Sequence, residues 1–431
     1  MAIELEKNLM NGMLTVLGKL INRNATAPER KALRIEAQDG TLTFCVSSAT
    51  ERLLRKFETE TPDPFIVHVD FDAFRDAVRT CRTRLVQFTL AGDAVLVAGN
   101  PVPLCNVPAV PLDRPRGLMH ADLPAGFIGK CASAAQVVDP TNSRPDTHGI
   151  NVNSHGIVAI SGREMIHIPF DVKLGGLTIP VPVALIQSKC EDSGRVELWP
   201  VKKETYFRLI IGPWEWTAPA VPGEFPNWQR IIPAEEKLVR RITLSKETAT
   251  QILAALRGLS DPDDQAVVWT KTADGSLNVR AGTLNCSYPA AFTGQWEKVR
   301  QGISRKILLR ILAQGHDTFA FGDPVKTPFV SSGGVGRFIA MPDALPVTQT
   351  IKEETVYTKE VNVGEPGTVP VASPLDELSE SIENFRAKLK SLFEESAVLL
   401  RKVREAALQQ KQKEREFVQA RKAIERIRMA I

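Results

Sequence analysis

The chain has 431 residues, of which 43% are hydrophobic and 24% are charged, and its formal net charge at pH 7 is +4. This balance is ordinary for folded globular domains and excludes a histone-like polycation, so any affinity for nucleic acid must come from local clusters of basic residues. The length allows two to four domains with cores of their own.

The first segment of the chain predicts the order helix, hairpin, strand, helix, hairpin. Apolar residues at helical spacing indicate the helices, and alternating apolar residues on either side of a turn indicate the hairpins, whose turn residues tolerate positive φ. The helices are expected at 6–22 and 73–80, the second capped by Asp70 or Asp72; the hairpins turn at Asp39-Gly40 and Gly92-Asp93; the single strand covers 65–69.

The same order recurs twice along the chain. In the second segment, helices are expected at 126–138 and 183–190, a strand at 177–180, and hairpins within 149–160 and 195–211. In the third, helices are expected at 246–259 and 304–313, a hairpin turning at Asp274-Gly275, and strands 318–321 and 337–340, which we expect to pair with each other. Copies at a period of roughly 110 residues can each bury a core, which predicts three α+β domains in tandem.

The last part of the chain differs in pattern. Residues 346–373 are rich in proline, threonine, valine and glutamate and predict a linker. Residues 374–431 place apolar residues at alternating spacings of three and four, with charged residues and glutamine between them. This pattern predicts a coiled-coil helix of about eight heptads. Its polar seam positions, Gln410 and Lys413, are typical of residues that set register or partner choice, and the partner is either a second tail or an unidentified protein.

One short segment is bracketed by prolines: Phe225-Pro226-Asn227-Trp228-Gln229-Arg230-Ile231-Ile232-Pro233. Since proline removes a backbone donor, the segment should run along an edge or between domains, with Trp228, Arg230 and Ile231 facing a groove. A rigid connector that only packs is the alternative. The segment resembles the Phe-Pro-Asp-Tyr-Arg-Arg-Val-Leu-Pro signature between the second and third domains of the bacterial replicative sliding clamp, the β subunit of DNA polymerase III.

Other stretches resemble the same family in the same order. Residues 37–42 are similar to its first-domain hairpin, and residues 339–345 (Ile-Ala-Met-Pro-Asp-Ala-Leu) to the Val-Val-Met-Pro-Met-Arg-Leu end of its third domain. Residues 159–165 stand where the family has Ala-Thr-Asp-Gly-His-Arg-Leu, but the His-Arg pair is replaced by Arg163-Glu164. The replacement leaves open which peptides a pocket here would accept.

The resemblance implies a fold and an assembly. It implies three clamp-type α+β domains at 1–118, 119–243 and 244–345, with helices lining the interior of a ring and antiparallel sheets outside. A linker at 346–373 and a coiled coil at 374–431 would follow. It further implies a homodimer ring around double-stranded DNA, a processivity factor that serves a replicative polymerase and is handled by a clamp loader.

The resemblance also implies a peptide-binding pocket between the second and third domains. Aliphatic and methionine walls would accept leucine and phenylalanine anchors, and an arginine would hold the polar end of the peptide. The alternative is that these are simply interdomain core residues. Carried onto this chain, the pocket comprises Arg144, Thr147, Ile160, Gly162, Met165, Pro226, Arg230, Ile231, Ile339 and Met341.

Basic residues recur on or beside the predicted helices in all three segments. If those helices face a central hole, as the resemblance implies, long basic side chains would contact phosphates without reading base sequence. Taken singly, each is equally a solvated surface residue. The candidates are Lys7, Lys19, Arg23, Arg75, Arg79, Lys130, Lys189, Lys246, Arg257, Arg305, Lys306 and Arg310.

No catalytic or metal motif stands out. GxxxxGK[ST], HExxH and GxSxG patterns are absent, so we expect neither enzymatic activity nor a cofactor. The six cysteines lack zinc-ligand spacing and are expected to be buried in a reducing cytoplasm, without a metal. No apolar run approaches the roughly 20 residues that span a bilayer, so a soluble cytoplasmic protein is expected. The alternative function is a clamp-fold scaffold or regulator that recruits a partner through its coiled coil without encircling DNA.

Overall fold

A computed structural model describes residues 2–25, 27–59, 64–107, 119–260, 266–297, 299–322 and 327–343. These residues belong to one unit, Met1–Thr348. The predicted linker 346–373 and coiled coil 374–431 lie outside the described residues, so both stay predictions.

The first segment has helices α1 (Lys7–Leu17) and α2 (Phe71–Thr80), and strands β1 (Ala2–Glu6), β2 (Ala32–Gln38), β3 (Thr41–Ser47), β4 (Arg52–Glu58), β5 (Phe65–Asp70), β6 (Leu85–Ala91), β7 (Ala94–Val97) and β8 (Asn100–Pro103). The second has helices α3 (Phe127–Ala135) and α4 (Val183–Ser188), and strands β9 (Met119–Leu123), β10 (Gly149–Asn153), β11 (Gly156–Ser161), β12 (Glu164–Ile168), β13 (Leu177–Pro180), β14 (Gly194–Val201), β15 (Glu204–Ile211) and β16 (Trp214–Pro219). The third has helices α5 (Lys246–Arg257) and α6 (Arg305–Ala313), and strands β17 (Arg240–Thr243), β18 (Ala266–Lys271), β19 (Leu277–Ala281), β20 (Leu284–Tyr288), β21 (Ala291–Thr293), β22 (Arg300–Ser304), β23 (Thr318–Phe321), β24 (Phe329–Ser332) and β25 (Arg337–Ala340).

Each segment runs strand, helix, four strands, helix, three strands, and the third segment adds the short strand β21. Local chemistry explains several boundaries. The Asp70 carboxylate accepts a hydrogen bond from the Ala73 N–H at 2.8 Å and so starts α2, and the Ser245 hydroxyl accepts one from the Thr248 N–H at 3.0 Å and starts α5. The turn between β2 and β3 places Asp39 and Gly40 at φ values of 48° and 72°, as predicted.

The strand pairings among the described residues are antiparallel, and two sheets cross segment boundaries. One has the order β5-β2-β3-β4-β16-β15-β14-β9, and the other β13-β10-β11-β12-β25-β24-β23-β17-β21. The smaller sheets have the orders β1-β6-β7-β8 and β20-β19-β18-β22. Strand β4 therefore joins β16 of the second segment, and β12 joins β25 of the third.

Two expectations from the sequence are wrong. Strands β23 and β25 do not pair with each other, because β24 lies between them and hydrogen-bonds to both. This strand of four residues, Phe329–Ser332, follows a proline and precedes two glycines, so it carries little strand pattern. The cysteines are not all buried either, since Cys286 is exposed on β20.

The helices lie side by side on one face of the sheets. Helix α1 contacts α2 and α4, α3 contacts α4, and α5 contacts α6. The Gln314 side-chain amide, at the end of α6, donates to the Ser133 carbonyl of α3 at 3.3 Å. The resulting row, α2-α1-α4-α3-α6-α5, covers the main hydrophobic core. None of the described helices combines the length and apolar character that crossing a membrane requires.

A chain of ion pairs crosses the boundary between β4 and β16. Arg208 on β15 donates through Nε to Glu197 Oε2 on β14 at 2.6 Å, and its Nη1 lies 3.7 Å from Glu215 Oε1 on β16. All three side chains are buried. Glu215 also accepts a hydrogen bond from Lys56 Nζ on β4 at 3.1 Å. Because buried carboxylates need compensating charge, Arg208 should be essential to this sheet.

We expect Arg208→Ala to lower the free energy of unfolding by about 3 kcal/mol, because it leaves two buried carboxylates without their shared guanidinium. Arg195 also pairs with Glu197, at 3.0 Å, but its side chain is 54% exposed. Arg195→Ala is therefore the matched control and should cost less than about 1 kcal/mol. Urea unfolding monitored by circular dichroism measures both, and equal losses in the two variants would contradict the assignment.

Candidate functional site

A row of apolar side chains crosses the sheet that joins the second and third segments. Met165 on β12 stands opposite Ile160 on β11 and Ile339 on β25, and Ile339 stands opposite Val330 on β24. The neighbouring residue Glu164 pairs with Arg310 of α6, so its side chain points to the helices. Since side chains alternate along a strand, the apolar row lies on the face away from the helices.

The proline-bracketed segment, residues 225–233, covers this row. It is not a strand but contains a short 3-10 helix, Trp228–Ile231. The Trp228 side chain is only 8% exposed and forms a hydrophobic cluster, separate from the main core, with Val158, Ile160, Met165 and Ile339. Trp228 therefore does not face an open groove, because its indole rests on the sheet.

Two histidines border the indole. The His167 ring centroid lies 4.6 Å from that of Trp228, and the His155 ring centroid lies 6.2 Å away. His167 Nε2 is 2.9 Å from the His155 carbonyl oxygen. Burial, together with the nearby charge of Arg337, lowers the pKa of the His167 imidazole, although the contact with that carbonyl opposes the shift. His167 is thus held neutral beside Trp228 near pH 7.

The residues predicted for the pocket divide into two groups. Ile160, Met165 and Ile339 come together in the cluster under Trp228. Gly162 sits in the exposed turn between β11 and β12, and the half-buried Met341 follows β25, its N–H donating to the Arg163 carbonyl at 2.9 Å.

Of the predicted residues in the proline-bracketed segment, Pro226 is half-buried and Arg230 is exposed. Ile231 is 38% exposed. These positions leave Arg230 and Ile231 accessible at the rim of the covered row.

Arg144 and Thr147 belong to a neighbouring loop. The Thr147 hydroxyl is buried and donates to the Arg144 carbonyl at 2.8 Å. The exposed Arg144 guanidinium donates to Asp146 Oδ2 at 2.7 Å and lowers the pKa of that carboxyl. Gly223 packs so tightly here that a Cβ atom on it would come within 3.1 Å of the Asp146 Cβ. This contact places the loop beside the chain leading to residues 225–233.

The sequence did not predict that Val158, His167 and Val330 belong to this surface. It also did not predict that the Trp228 side chain lies between residues 225–233 and the sheet. Val158 precedes Ile160 by two residues, and His167 follows Met165 by two, so the alternation of a strand could have assigned them to the same face. Val330 lies on β24, which the sequence pattern did not reveal.

The basic candidates also divide by environment. Seven are exposed, and all but Arg23, which lies in the loop after α1, are on a helix or within two residues of one: Lys19, Arg23, Arg79, Lys189, Lys246, Arg257 and Lys306. Of these, Arg23 forms an ion pair with Asp72, with Nε 3.1 Å from Oδ2.

Four further candidates already have partners. Lys7 Nζ donates to the Cys81 carbonyl at 2.5 Å, and Arg75 Nη2 lies 2.9 Å from Asp72 Oδ1. Lys130 Nζ lies 5.5 Å from the centre of the Phe170 ring. Arg310 pairs with the buried carboxylate of Glu164. Burial raises the pKa of Glu164, and the charge of Arg310 opposes that rise. Contact with DNA would have to compete with these interactions.

Arg305 does not fit a phosphate-binding role. It is 3% exposed, and its Nη2 donates to the Leu256 carbonyl at 2.6 Å and the Leu259 carbonyl at 2.8 Å. Both carbonyls lie at the end of α5, where a helix leaves acceptors unsatisfied and favours a cation. Arg305 therefore joins α6 to the end of α5, and its guanidinium is too buried to bind a phosphate.

The described fold is that of the bacterial sliding clamps. The sliding clamp from Bartonella birtlesii bound to griselimycin matches this chain with a TM-score of 0.67 and 16% sequence identity. The match covers 80% of this chain and 100% of the Bartonella chain. The DNA polymerase III β subunits from Thermotoga maritima (TM-score 0.65, 12% identity) and Pseudomonas aeruginosa (0.65, 14%) match with the same coverage. No family model and no curated protein matches the sequence. The resemblance predicted from the sequence is confirmed at the level of the fold, in a divergent chain.

The Trp228–His167 contact predicts a pH-dependent signal. The unfolded imidazole titrates near pH 6.5, and burial lowers the pKa of His167 in the folded protein. As the pH falls below about 6.5, the unfolded chain binds a proton that the folded chain resists, so the free energy of unfolding decreases. Protonation should also alter Trp228 fluorescence, because the imidazolium lies against the indole.

Tryptophan fluorescence between pH 7.5 and 5 measures this titration. His167→Asn should remove most of the change, whereas His155→Asn should keep it, since His155 is farther from the indole. Superimposable curves for wild type and His167→Asn would refute the coupling.

Proposed function

We propose that this chain is a DNA polymerase processivity factor, a sliding clamp built from three domains at 1–118, 119–243 and 244–345. Two copies would close head to tail around duplex DNA. The observation that carries the proposal is the arrangement of layers. One row of helices faces one way, and sheets that continue across segment boundaries form the opposite side.

The repeated order of elements supports closure by a second copy. At both internal boundaries the last strand of one segment pairs with the third of the four strands in the segment before it, β16 with β4 and β25 with β12. Two strands at equivalent positions have no such partner among the described residues: β8, the last strand of the first segment, and β20, which takes the place of β4 and β12 in the third. Each is the edge of its sheet among those residues. Strand β20 of one copy would pair with β8 of the other, and two such junctions would complete a ring.

The helix row would face DNA. Its exposed cations include Lys19, Arg79, Lys246, Arg257 and Lys306, on or beside four different helices. Such side chains reach phosphates without contacting base edges, so binding would be independent of sequence and would weaken with salt. Topological linkage then retains the protein on DNA where charge alone would not.

The apolar row at the other face would dock partners. The rim residues Arg230 and Ile231 are exposed beside the cluster of Ile160, Met165 and Ile339. Short peptides of a replicative polymerase and a clamp loader would insert a leucine or phenylalanine here. The chain itself would have no catalytic role, and its predicted coiled coil would pair with a second tail or with another protein.

A second function is favoured by Trp228. Since its indole already covers the apolar row, the face resembles a completed core more than an open pocket. In this alternative the chain keeps the clamp fold as a scaffold or regulator, does not encircle DNA, and recruits its partner through the coiled coil.

Retention on circular DNA distinguishes the two functions. A ring loaded onto a nicked circular plasmid, with a clamp loader or during spontaneous opening, should co-elute with the plasmid in gel filtration at about 0.3 M salt, where charge contacts are weak. Cutting the plasmid once should release most of the protein. No difference between circular and linear DNA would exclude encirclement and favour the scaffold.

Equilibrium binding to a short linear duplex, measured over a series of salt concentrations, examines the helix face. The triple variant Lys246→Glu, Arg257→Glu and Lys306→Glu should make the plot of log affinity against log salt less steep. The magnitude of its slope should fall by about 2 to 3, since each phosphate contact contributes about 0.9 to it. The matched control reverses Lys202 and Lys203, exposed in the turn between β14 and β15.

The docking face can be examined without disturbing the core. Ile231→Asp changes an exposed side chain at the rim and should weaken the binding of a labelled short peptide with leucine and phenylalanine anchors by about tenfold or more. Val239→Asp is the matched control, because Val239 is also apolar and 62% exposed. Fluorescence anisotropy measures both, and equal affinities would show that peptides do not dock at Ile231.

A further inference from the structure

Strands β14, β15 and β16 carry an aromatic row on the face of their sheet that points away from the helices. Trp199 on β14 stands opposite Tyr206 on β15, and Tyr206 stands opposite Pro219 on β16. Their chain neighbours Phe207 and Ala218 pack in the main hydrophobic core on the helix side. Because side chains alternate along a strand, the three residues of the aromatic row lie on the other face.

The two rings of this row do not fill a core. Trp199 and Tyr206 are both half-buried, and neither belongs to a hydrophobic cluster of the described residues. Their ring centroids are 6.2 Å apart and their planes are inclined by only 28°. Phe207 and Trp216, which are buried on the opposite face, meet instead at 77°. The aromatic row therefore offers two nearly parallel rings that are partly open to solvent.

Two lysines lie beyond the aromatic row, at the end of the same hairpin. Lys202 and Lys203 form the turn between β14 and β15, and Lys202 has the positive φ of 55° that a two-residue hairpin turn requires. Both lysines are exposed, as is Glu204 beside them. With two cations against one carboxylate, this end of the hairpin has a net positive charge.

On the other side of the aromatic row, the acidic charge is neutralised within the sheet. Glu197 accepts a hydrogen bond from Arg208 Nε at 2.6 Å and also pairs with Arg195 at 3.0 Å. The same row across the sheet continues through Thr217 to the half-buried Arg52. The aromatic row is thus bordered by an excess of positive charge on both sides.

We infer that the aromatic row and the turn of Lys202 and Lys203 bind single-stranded nucleic acid. The unpaired bases of a single strand stack on aromatic rings, and its phosphates attract lysines. Sheets of RNA-recognition domains use aromatic side chains in this way and stack about two or three bases. Charge alone would equally attract an acidic peptide, but the two nearly parallel rings favour a ligand with flat bases.

This site is different from the surface that would face duplex DNA. The aromatic row lies on the face of the sheet opposite the helix row, so binding there does not require encirclement. Duplex DNA cannot use the rings, because its bases are already paired and stacked on one another. The inference therefore goes beyond the proposed function and stands or falls independently of it.

The test measures the binding of a labelled oligothymidylate of about ten nucleotides to the full chain, a length within the usual range of single-strand sites. An excess of unlabelled blunt duplex occupies the cations of the helix row. Replacing both rings, Trp199→Ala with Tyr206→Ala, should weaken binding by about tenfold or more, because stacking on the rings is lost. Fluorescence anisotropy measures the affinity, and circular dichroism checks that each variant is folded.

The matched control keeps the rings. Trp199→Phe with Tyr206→Phe should stay within about threefold of wild type, since a phenyl ring still stacks on a base. A second probe, an abasic oligonucleotide of the same length, keeps the phosphates and lacks the bases. It should bind wild type about tenfold more weakly than oligothymidylate does.

The lysines are examined separately. Lys202→Glu with Lys203→Glu should weaken oligothymidylate binding and reduce the magnitude of its salt slope by about 1.4, since each contact with a single strand contributes about 0.7. If the alanine pair fails to fold, this exposed pair and the abasic probe decide the outcome. Unchanged affinity in a folded alanine pair or in the glutamate pair, or equal binding of the two probes, would overturn the inference.

Discussion

The architecture depends on backbone pairing across segment boundaries. Because β4 bonds to β16 and β12 bonds to β25, two of the sheets extend from one segment into the next. That continuity fixes which face each side chain takes, since residues alternate along a strand. Glu164 is thereby directed to Arg310 and the helices, whereas Met165, one residue on, reaches the opposite face. The helix surface and the apolar row are therefore two consequences of one set of hydrogen bonds.

Each face carries some side chains that hold the fold together and others that are exposed to solvent. On the helix side, Arg305 and Arg310 serve the fold, one satisfying the end of α5 and the other a buried carboxylate, while Lys246 and Lys306 remain exposed. On the opposite side, Trp228 covers the apolar row and leaves Arg230 and Ile231 accessible. A guest peptide would bind at the rim or displace the indole, which would expose apolar surface at a cost in free energy.

The ends of the repeat differ chemically from its interior. Internal junctions combine two-way backbone bonding with buried aromatic and aliphatic side chains, and separating them would expose both to water. Edge strand β8 contains two prolines, and edge strand β20 exposes polar residues.

The sequence determined the elements that arise from local chemistry: the helices, and the turns at Asp39-Gly40 and Asp274-Gly275. It also placed Ile160, Met165 and Ile339 in one site, through resemblance to a family. Only the tertiary structure decided that β24 separates β23 from β25, that Trp228 packs on the sheet, and that Arg305 points inward. Periodicity records which residues share a face, but pairing between strands far apart in sequence decides what that face meets.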